Sequence, residues 1–353
     1  MQREGGSEMP DQIELLAQHD KQDMAGFTRA FVDDLENAFQ KDIGIIGDDD
    51  WVGVLCIGMG GSGASGTFLT SIADRQAGLP VLHWRDYGLP SWWGPEWLVI
   101  ATSYSGNTEE TLDGVSKALE EGGSVIGISS GGKLEEILSD REDAVHIAIP
   151  SGQMPRSAFG HLIGTQLSIL WSMGLLPAPK DEDIGGMIGR LRRLSSDWDP
   201  STGSTQAYGA AKSIGENDIG IVSPSIIGCA ARRFVSQLNE NSDLFARSSE
   251  VPEMNHNEII PWTERASESQ ALVVIHSSLS NDRTSSRMKW FEEHSGDTAR
   301  VVLNATGETL VEQLLGMAHI TDWISIMLAV SRGVDPSEMA AIPSLKAHLE
   351  EIQ

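Results

Sequence analysis

GMGGSGASG, residues 58–66, is the stretch whose reading decides the fold: an apolar run (residues 52–57) leads into it and a helical pattern, TFLTSIADRQ, leads out. Glycines let the chain turn sharply and let an anion approach the backbone, while a following helix points its first N–H groups at the same spot. Gly58, Gly60 and Gly63 also match the dinucleotide fingerprint G-x-G-x-x-G, and Asp86 ends the next apolar run about where a ribose-binding acid belongs. A second loop separates the two readings. SYSGNTEE (residues 103–110) again lies between an apolar run and a helical pattern, and it offers hydroxyls at Ser103, Ser105 and Thr108 with Gly106 among them. Three hydroxyls beside helix-start N–H groups form a cup for a terminal phosphate dianion without lysine. A dinucleotide fold needs no such second cup, so the pair of loops points to a phosphate-bearing small molecule.

Outward from these loops, apolar runs alternate with helical patterns. Residues 11–40 read as one or two helices; residues 81–84, 97–102, 124–128 and 144–149 read as further strands. Strands alternating with helices predict an α/β fold, a parallel sheet covered on both faces. Residues 157–174 read as a buried helix, and the Pro- and acid-rich PAPKDED (177–183) as a boundary followed by a connecting helix over 184–199. The rhythm then resumes with strands at 218–222, 271–275 and 300–303, a long helix over 308–332 and a C-terminal helix. The expected organisation is an N-terminal helical arm (1–45), a phosphate-binding unit (46–178), a connecting helix (179–206) and a second, glycine-poorer unit of the same kind (207–353).

Charge narrows the function. The 353 residues hold 51 acids against 25 Lys and Arg, a formal net charge of −26. A field of that sign repels nucleic-acid backbones, so no nucleic-acid partner is expected, and a phosphate site must concentrate its own donors. No run of about 18 apolar residues is evident and no membrane span is expected; the polar, acidic start has no apolar core of a secretion signal. Cys56 and Cys229, far apart and without a CxxC partner, suit the cytoplasm and read as small buried side chains. Histidines 83, 146, 161, 276 and 294 stand singly, and no ligand cluster with metal spacing is present, so neither metal nor cofactor is expected.

GMGGSG together with SYSGNTEET resembles the sugar isomerase (SIS) domain, which implies two flavodoxin-like subdomains. In that family the two loops hold the sugar phosphate. The resemblance therefore implies Gly60, Gly61, Ser62, Ser103, Ser105 and Thr108 as phosphate ligands here. PSGQMPRSAFG (150–160), QLNENS (237–242), PEMNHNEIIPW (252–262) and DPSEMAAIPSLK (335–346) resemble, in the right order, the bifunctional phosphoglucose/phosphomannose isomerases. That likeness implies an aldose–ketose isomerase working through a cis-enediolate on glucose 6-phosphate and mannose 6-phosphate. It implies Glu240 as the proton-shuttling base, Arg156 as the cation beside the enediolate, and Lys346 as an aid to ring opening. It also implies His256 as the ring-opening group, delivered by the neighbouring subunit of a homodimer. Glu258 reads either as a residue that supports the site from behind or as structural. Two rivals follow from the same residues: a non-catalytic sugar-phosphate sensor, for which no helix-turn-helix segment is evident, and a dinucleotide enzyme resting on the glycine fingerprint alone.

Overall fold

Five short apolar runs pair as parallel strands: the three central ones are almost wholly buried and cannot leave either face in water, while the two edge strands are partly exposed. The computed structural model describes residues 11–41, 43, 50–265 and 268–351; part of the expected N-terminal arm, residues 1–10, 42, 44 and 45, lies outside them. Two helices, α1 (Gln12–His19) and α2 (Met24–Phe39), precede the first sheet. Its elements follow as β1 (Gly53–Ile57), α3 (Gly60–Gln76), β2 (Val81–Trp84), β3 (Trp97–Thr102), α4 (Glu109–Glu120), β4 (Val125–Ser129), α5 (Lys133–Leu138) and β5 (Ala144–Ala148). All pairings are parallel, in the order β2-β1-β3-β4-β5, the flavodoxin-like order. The order reverses between β1 and β3. The glycine loop leaves β1 and the hydroxyl loop leaves β3, so both stand at the switch point, where open parallel sheets bind ligands.

The chain crosses to the second sheet through α6 (Phe159–Ser172), α7 (Asp181–Trp198) and α8 (Gln206–Ile214). There β6 (Asp218–Pro224), α9 (Gly228–Ser242), β7 (Ala246–Val251), α10 (Ile259–Glu264), β8 (Gln270–Ser277), α11 (Asp282–His294) and β9 (Ala299–Ala305) form a parallel sheet of order β7-β6-β8-β9. This repeats the first four positions of the first sheet and lacks the fifth. Two helices close the chain, α12 (Leu310–Ser331) and α13 (Ala341–Glu350).

One hydrophobic cluster runs through both halves, from Phe31 and Leu35 of α2 across Val54 and Phe68 to Phe234 and Leu328. Close approach of α2 to α6 depends on glycine: a Cβ at Gly164 would lie 2.7 Å from that of Ala38. The acid-rich region 34–50, whose charge alone would place it on the surface, is not uniformly exposed. Asp34 is buried and its Oδ1 lies 3.0 Å from Nε2 of His161, while residues 42 and 44–49 fall outside the described part. By length and composition α12 could cross a membrane, although it escapes a search for unbroken apolar runs. The fold instead buries it at every residue from Leu310 to Val330. Cys56 and Cys229 are both free and buried, and burial pushes their thiols up to about 12 and about 11.

Candidate active site

Glycine is favoured at two positions of the first loop, once by backbone conformation and once by a close contact. Gly60 opens α3 with φ +52°, and a Cβ on Gly61 would lie 2.9 Å from the Cα of Arg156. The loop thus seats directly on the Pro155–Arg156 backbone. Ser62, 5% exposed, accepts the Tyr104 N–H on its Oγ at 3.0 Å and so ties the β1 loop to the β3 loop. In the second loop the Ser103 and Thr108 hydroxyls meet at 2.8 Å, and the exposed Ser105 Oγ accepts the Asn107 N–H at 3.3 Å. A hydroxyl both donates and accepts, so these internal bonds orient the groups without using all their capacity. Gly106, at φ +69°, lets this loop rest against the β4–α5 connection; its carbonyl accepts the Leu134 N–H at 2.9 Å. A Cβ there would stand 1.7 Å from the Gly131 carbonyl oxygen. Gly106→Ala is expected to lower stability by more than ~1 kcal/mol and to raise KM for a sugar phosphate; a thermal melt and initial rates check it.

The second half has a helix start in the equivalent place, yet the chain itself supplies the anion. A Cβ on Gly228, the first residue of α9, would lie 2.3 Å from the carboxyl carbon of Glu250, which also pairs with Arg232. A carboxylate thus already stands beside the first residue of that helix.

Arg156 lies beneath the first-half cradle, 2% exposed, in the stretch between β5 and α6. Its Nε donates to Asn241 Oδ1 at 2.6 Å and its Nη2 to the Pro336 carbonyl at 2.5 Å. The Nη1 arm reaches the Met339 sulfur at 3.0 Å and lies 3.8 Å from Glu240 Oε2. Glu240 sits late in α9 with its side chain 25% exposed. Burial pushes its carboxyl up from the ordinary glutamate range, against the pull of Arg156 and Arg233. A carboxyl with raised proton affinity beside a fixed cation can take up a proton and have the resulting negative charge neutralised close by. Beyond Met339 lies a cavity of about 560 Å³, lined by Met154, Asp335 and Met339 and reaching Pro343 at the root of α13; neither Arg156 nor Glu240 lines it.

Of the predicted site residues, the fold joins Gly61 to Arg156 and Arg156 to Glu240. His256 and Lys346 stand apart from them. His256 ends a 3-10 turn, Glu253–His256, on the exposed side of the β7–α10 connection, and it has no hydrogen-bond partner among the described residues. Glu258, two residues further on, is firmly held: it accepts from Trp262 Nε1 at 2.9 Å, Arg247 Nε at 3.1 Å and the Ser249 hydroxyl. Burial works against its charge, but these bonds hold its carboxyl below the ordinary range. Lys346 lies on α13, whose residues 341–349 are all exposed. There it shares one stripe with Ile342, Leu345 and Leu349, spaced at three, four and seven residues.

Sequence reasoning passed over the groups that hold Arg156. Asn241 lay inside a quoted segment without a role, and Arg233 and Asp322 drew no notice. Their signals were present: Arg233, Gln237 and Asn241 recur every fourth residue along α9, and Asp322 interrupts a long apolar helix.

Comparison with known proteins identifies the family and the fold. Residues 204–349 match the family described as the bacterial phospho-glucose isomerase C-terminal SIS domain. A bifunctional phosphoglucose/phosphomannose isomerase of Thermoplasma volcanium is 30% identical over 296 residues, 84% of this chain and 91% of that protein. A protein of the same name from Caldicellulosiruptor bescii is 30% identical over 311 residues, 85% of this chain and 90% of its own length. Among solved structures, the C-terminal domain of glucosamine-fructose-6-phosphate aminotransferase from Francisella tularensis superposes with TM-score 0.69 at 14% identity, covering 90% of this chain and 98% of that one. That last likeness establishes the shared fold, and the first three place the chain: it belongs to the bifunctional phosphoglucose/phosphomannose isomerase family of SIS-domain proteins.

Proposed function

We propose that this protein is an aldose–ketose isomerase that interconverts glucose 6-phosphate, and also mannose 6-phosphate, with fructose 6-phosphate. The observation that carries the reading is the approach of Glu240 to Arg156 at 3.8 Å, beside a loop pair suited to phosphate. In the proposed reaction Gly60, Gly61, Ser62, Ser103, Ser105 and Thr108 hold the phosphate dianion. Glu240 removes the proton from C2 of the open-chain aldose, and the electron pair of that C–H bond forms the enediolate double bond. The C1 carbonyl oxygen takes up the negative charge, facing the Nη1 arm of Arg156; the O2 hydroxyl proton passes to O1, and Glu240 returns its proton to C1 as the C2–O bond becomes the ketone carbonyl. Glucose and mannose derivatives differ only at C2 and lose that stereocentre in the shared enediolate, which is the basis for acceptance of both.

Ring opening falls to His256 and Lys346. The exposure of His256 and the uncovered apolar stripe beside Lys346 support a homodimer in which a neighbouring subunit's His256 completes the site. The test of function is a coupled assay for fructose 6-phosphate formed from each aldose phosphate. Turnover of both is expected, and absence of turnover on either would leave a binding role or another sugar phosphate. For the dimer, separately inactive Glu240 and His256 variants are expected to regain activity when mixed. No recovery, once subunit exchange is demonstrated, counts against the shared site.

A further inference from the structure

The stripe along α9 that holds Arg156 belongs to a closed circuit of bonds. Arg233 forms a two-armed pair with Asp322 of α12, its Nη2 lying 3.0 Å from Asp322 Oδ2. The same Nη2 donates to the Arg156 carbonyl at 3.1 Å, and the guanidinium lies 4.2 Å from the ring centre of Phe159. Gln237 Nε2 adds a bond to Asp322 Oδ1 at 2.7 Å. From the other end, the Arg156 side chain donates to Asn241, whose Nδ2 donates to Ser325 Oγ at 2.9 Å; Ser325 Oγ in turn donates to the Asp322 carbonyl at 2.8 Å. Both ends of Arg156 are therefore anchored on one turn of α12. Glu240 stands on α9 between Gln237 and Asn241.

We propose that the buried Arg233–Asp322 pair is a positioning device for the reaction, fixing Arg156 in place and setting the net charge that Glu240 faces. The assignment rests on the reading of Glu240 as the base. A buried ion pair by itself stabilises little and is often replaceable by apolar side chains. What sets this pair apart is the third bond, from Arg233 to the backbone of a residue that touches Glu240. The charged groups around the base are few. Arg156 faces Glu240 from the stretch before α6, and Arg233 from its own helix. Asp322 on α12 and Asp335 beyond it act on Arg156. His319, one turn before Asp322, is held at about 3 by burial and stays neutral in the working range.

The signs for the two partners are opposite. Asp322→Asn leaves Arg233 and Arg156 less neutralised, which favours the Glu240 carboxylate and makes it a weaker base. Its expected result is an acid limb of kcat/KM displaced to lower pH and a plateau kcat reduced about 10-fold. Arg233→Gln removes a cation from Glu240, and its limb is expected to move to higher pH. Equal loss of kcat in both variants with the limb unmoved would overturn the proposal and leave a merely structural pair. Should either single variant fail to fold, the double variant Arg233→Met/Asp322→Leu replaces the pair by apolar side chains and is expected to fold. It should have kcat about 10-fold below the unmodified protein; an unchanged kcat sinks the proposal. Glu240→Gln separates the two levels. Retained turnover there defeats the base assignment itself, whereas an inactive Glu240→Gln beside unmoved limbs defeats only the role of Arg233 and Asp322.

Discussion

Glu240→Gln is expected to lower kcat by about 10³-fold while leaving KM for either aldose phosphate nearly unchanged. The amide keeps the shape of the side chain and loses the proton acceptor. Half-buried as it is, with its carboxyl disfavoured by burial, Glu240 contributes little to stability, so the variant should melt no lower than the parent. The pH profile adds a sign. Below the raised pKa Glu240 holds its proton and cannot act as a base, so kcat/KM should fall about tenfold per unit there. That limb should stand above the ordinary glutamate range and vanish in the variant. Steady-state rates across pH check both points, and a variant that keeps the limb moves the base elsewhere.

Arg156→Lys should be nearly as damaging, for a different reason. The guanidinium uses separate arms for Asn241, Pro336 and Glu240, and a single ammonium cannot reach all three. Loss of the Nη1 arm is expected to cost about 10²–10³-fold in kcat, as for an oxyanion donor. Buried Asn241 and Pro336 oxygens left without a donor should also destabilise the fold by about 3 kcal/mol. Coupled rates and a thermal melt measure the two effects independently. A lower melting temperature with unchanged kcat would make Arg156 a structural arginine only.

The strands of the first sheet were legible because their runs are apolar; β1, β3 and β4 are almost wholly buried, and the edge strands β2 and β5 partly so. Trp97–Thr102 and Val81–Trp84 coincide with their predicted runs, β4 is shifted by one residue at both ends, and β5 stops one residue short. By contrast β7, with sequence ARSSEV, carries no apolar pattern. It is an edge strand held by backbone bonds to β6, and such bonds leave no mark on residue type. Much the same holds for the site. Glycine and hydroxyl loops announce themselves because their job is done by nearby backbone. Asp322 was present as one acid in an apolar helix, but nothing local pairs it with Arg233, 89 residues away.

By itself the sequence determined a phosphate-binding parallel α/β fold, since the direction of N–H groups at a strand–glycine–helix turn follows from a dozen neighbouring residues. Only the tertiary structure decided how the chemistry is assembled. Arg156 and Asn241 are 85 residues apart yet bonded at 2.6 Å, and the proton affinity of Glu240 depends on which distant helices exclude water and which bring charge. His256 and Lys346 mark the other side of that divide: the fold leaves both exposed, outside the Arg156–Glu240 group. Proton affinity and charge stabilisation arise from distances through space, and chain order does not carry those distances.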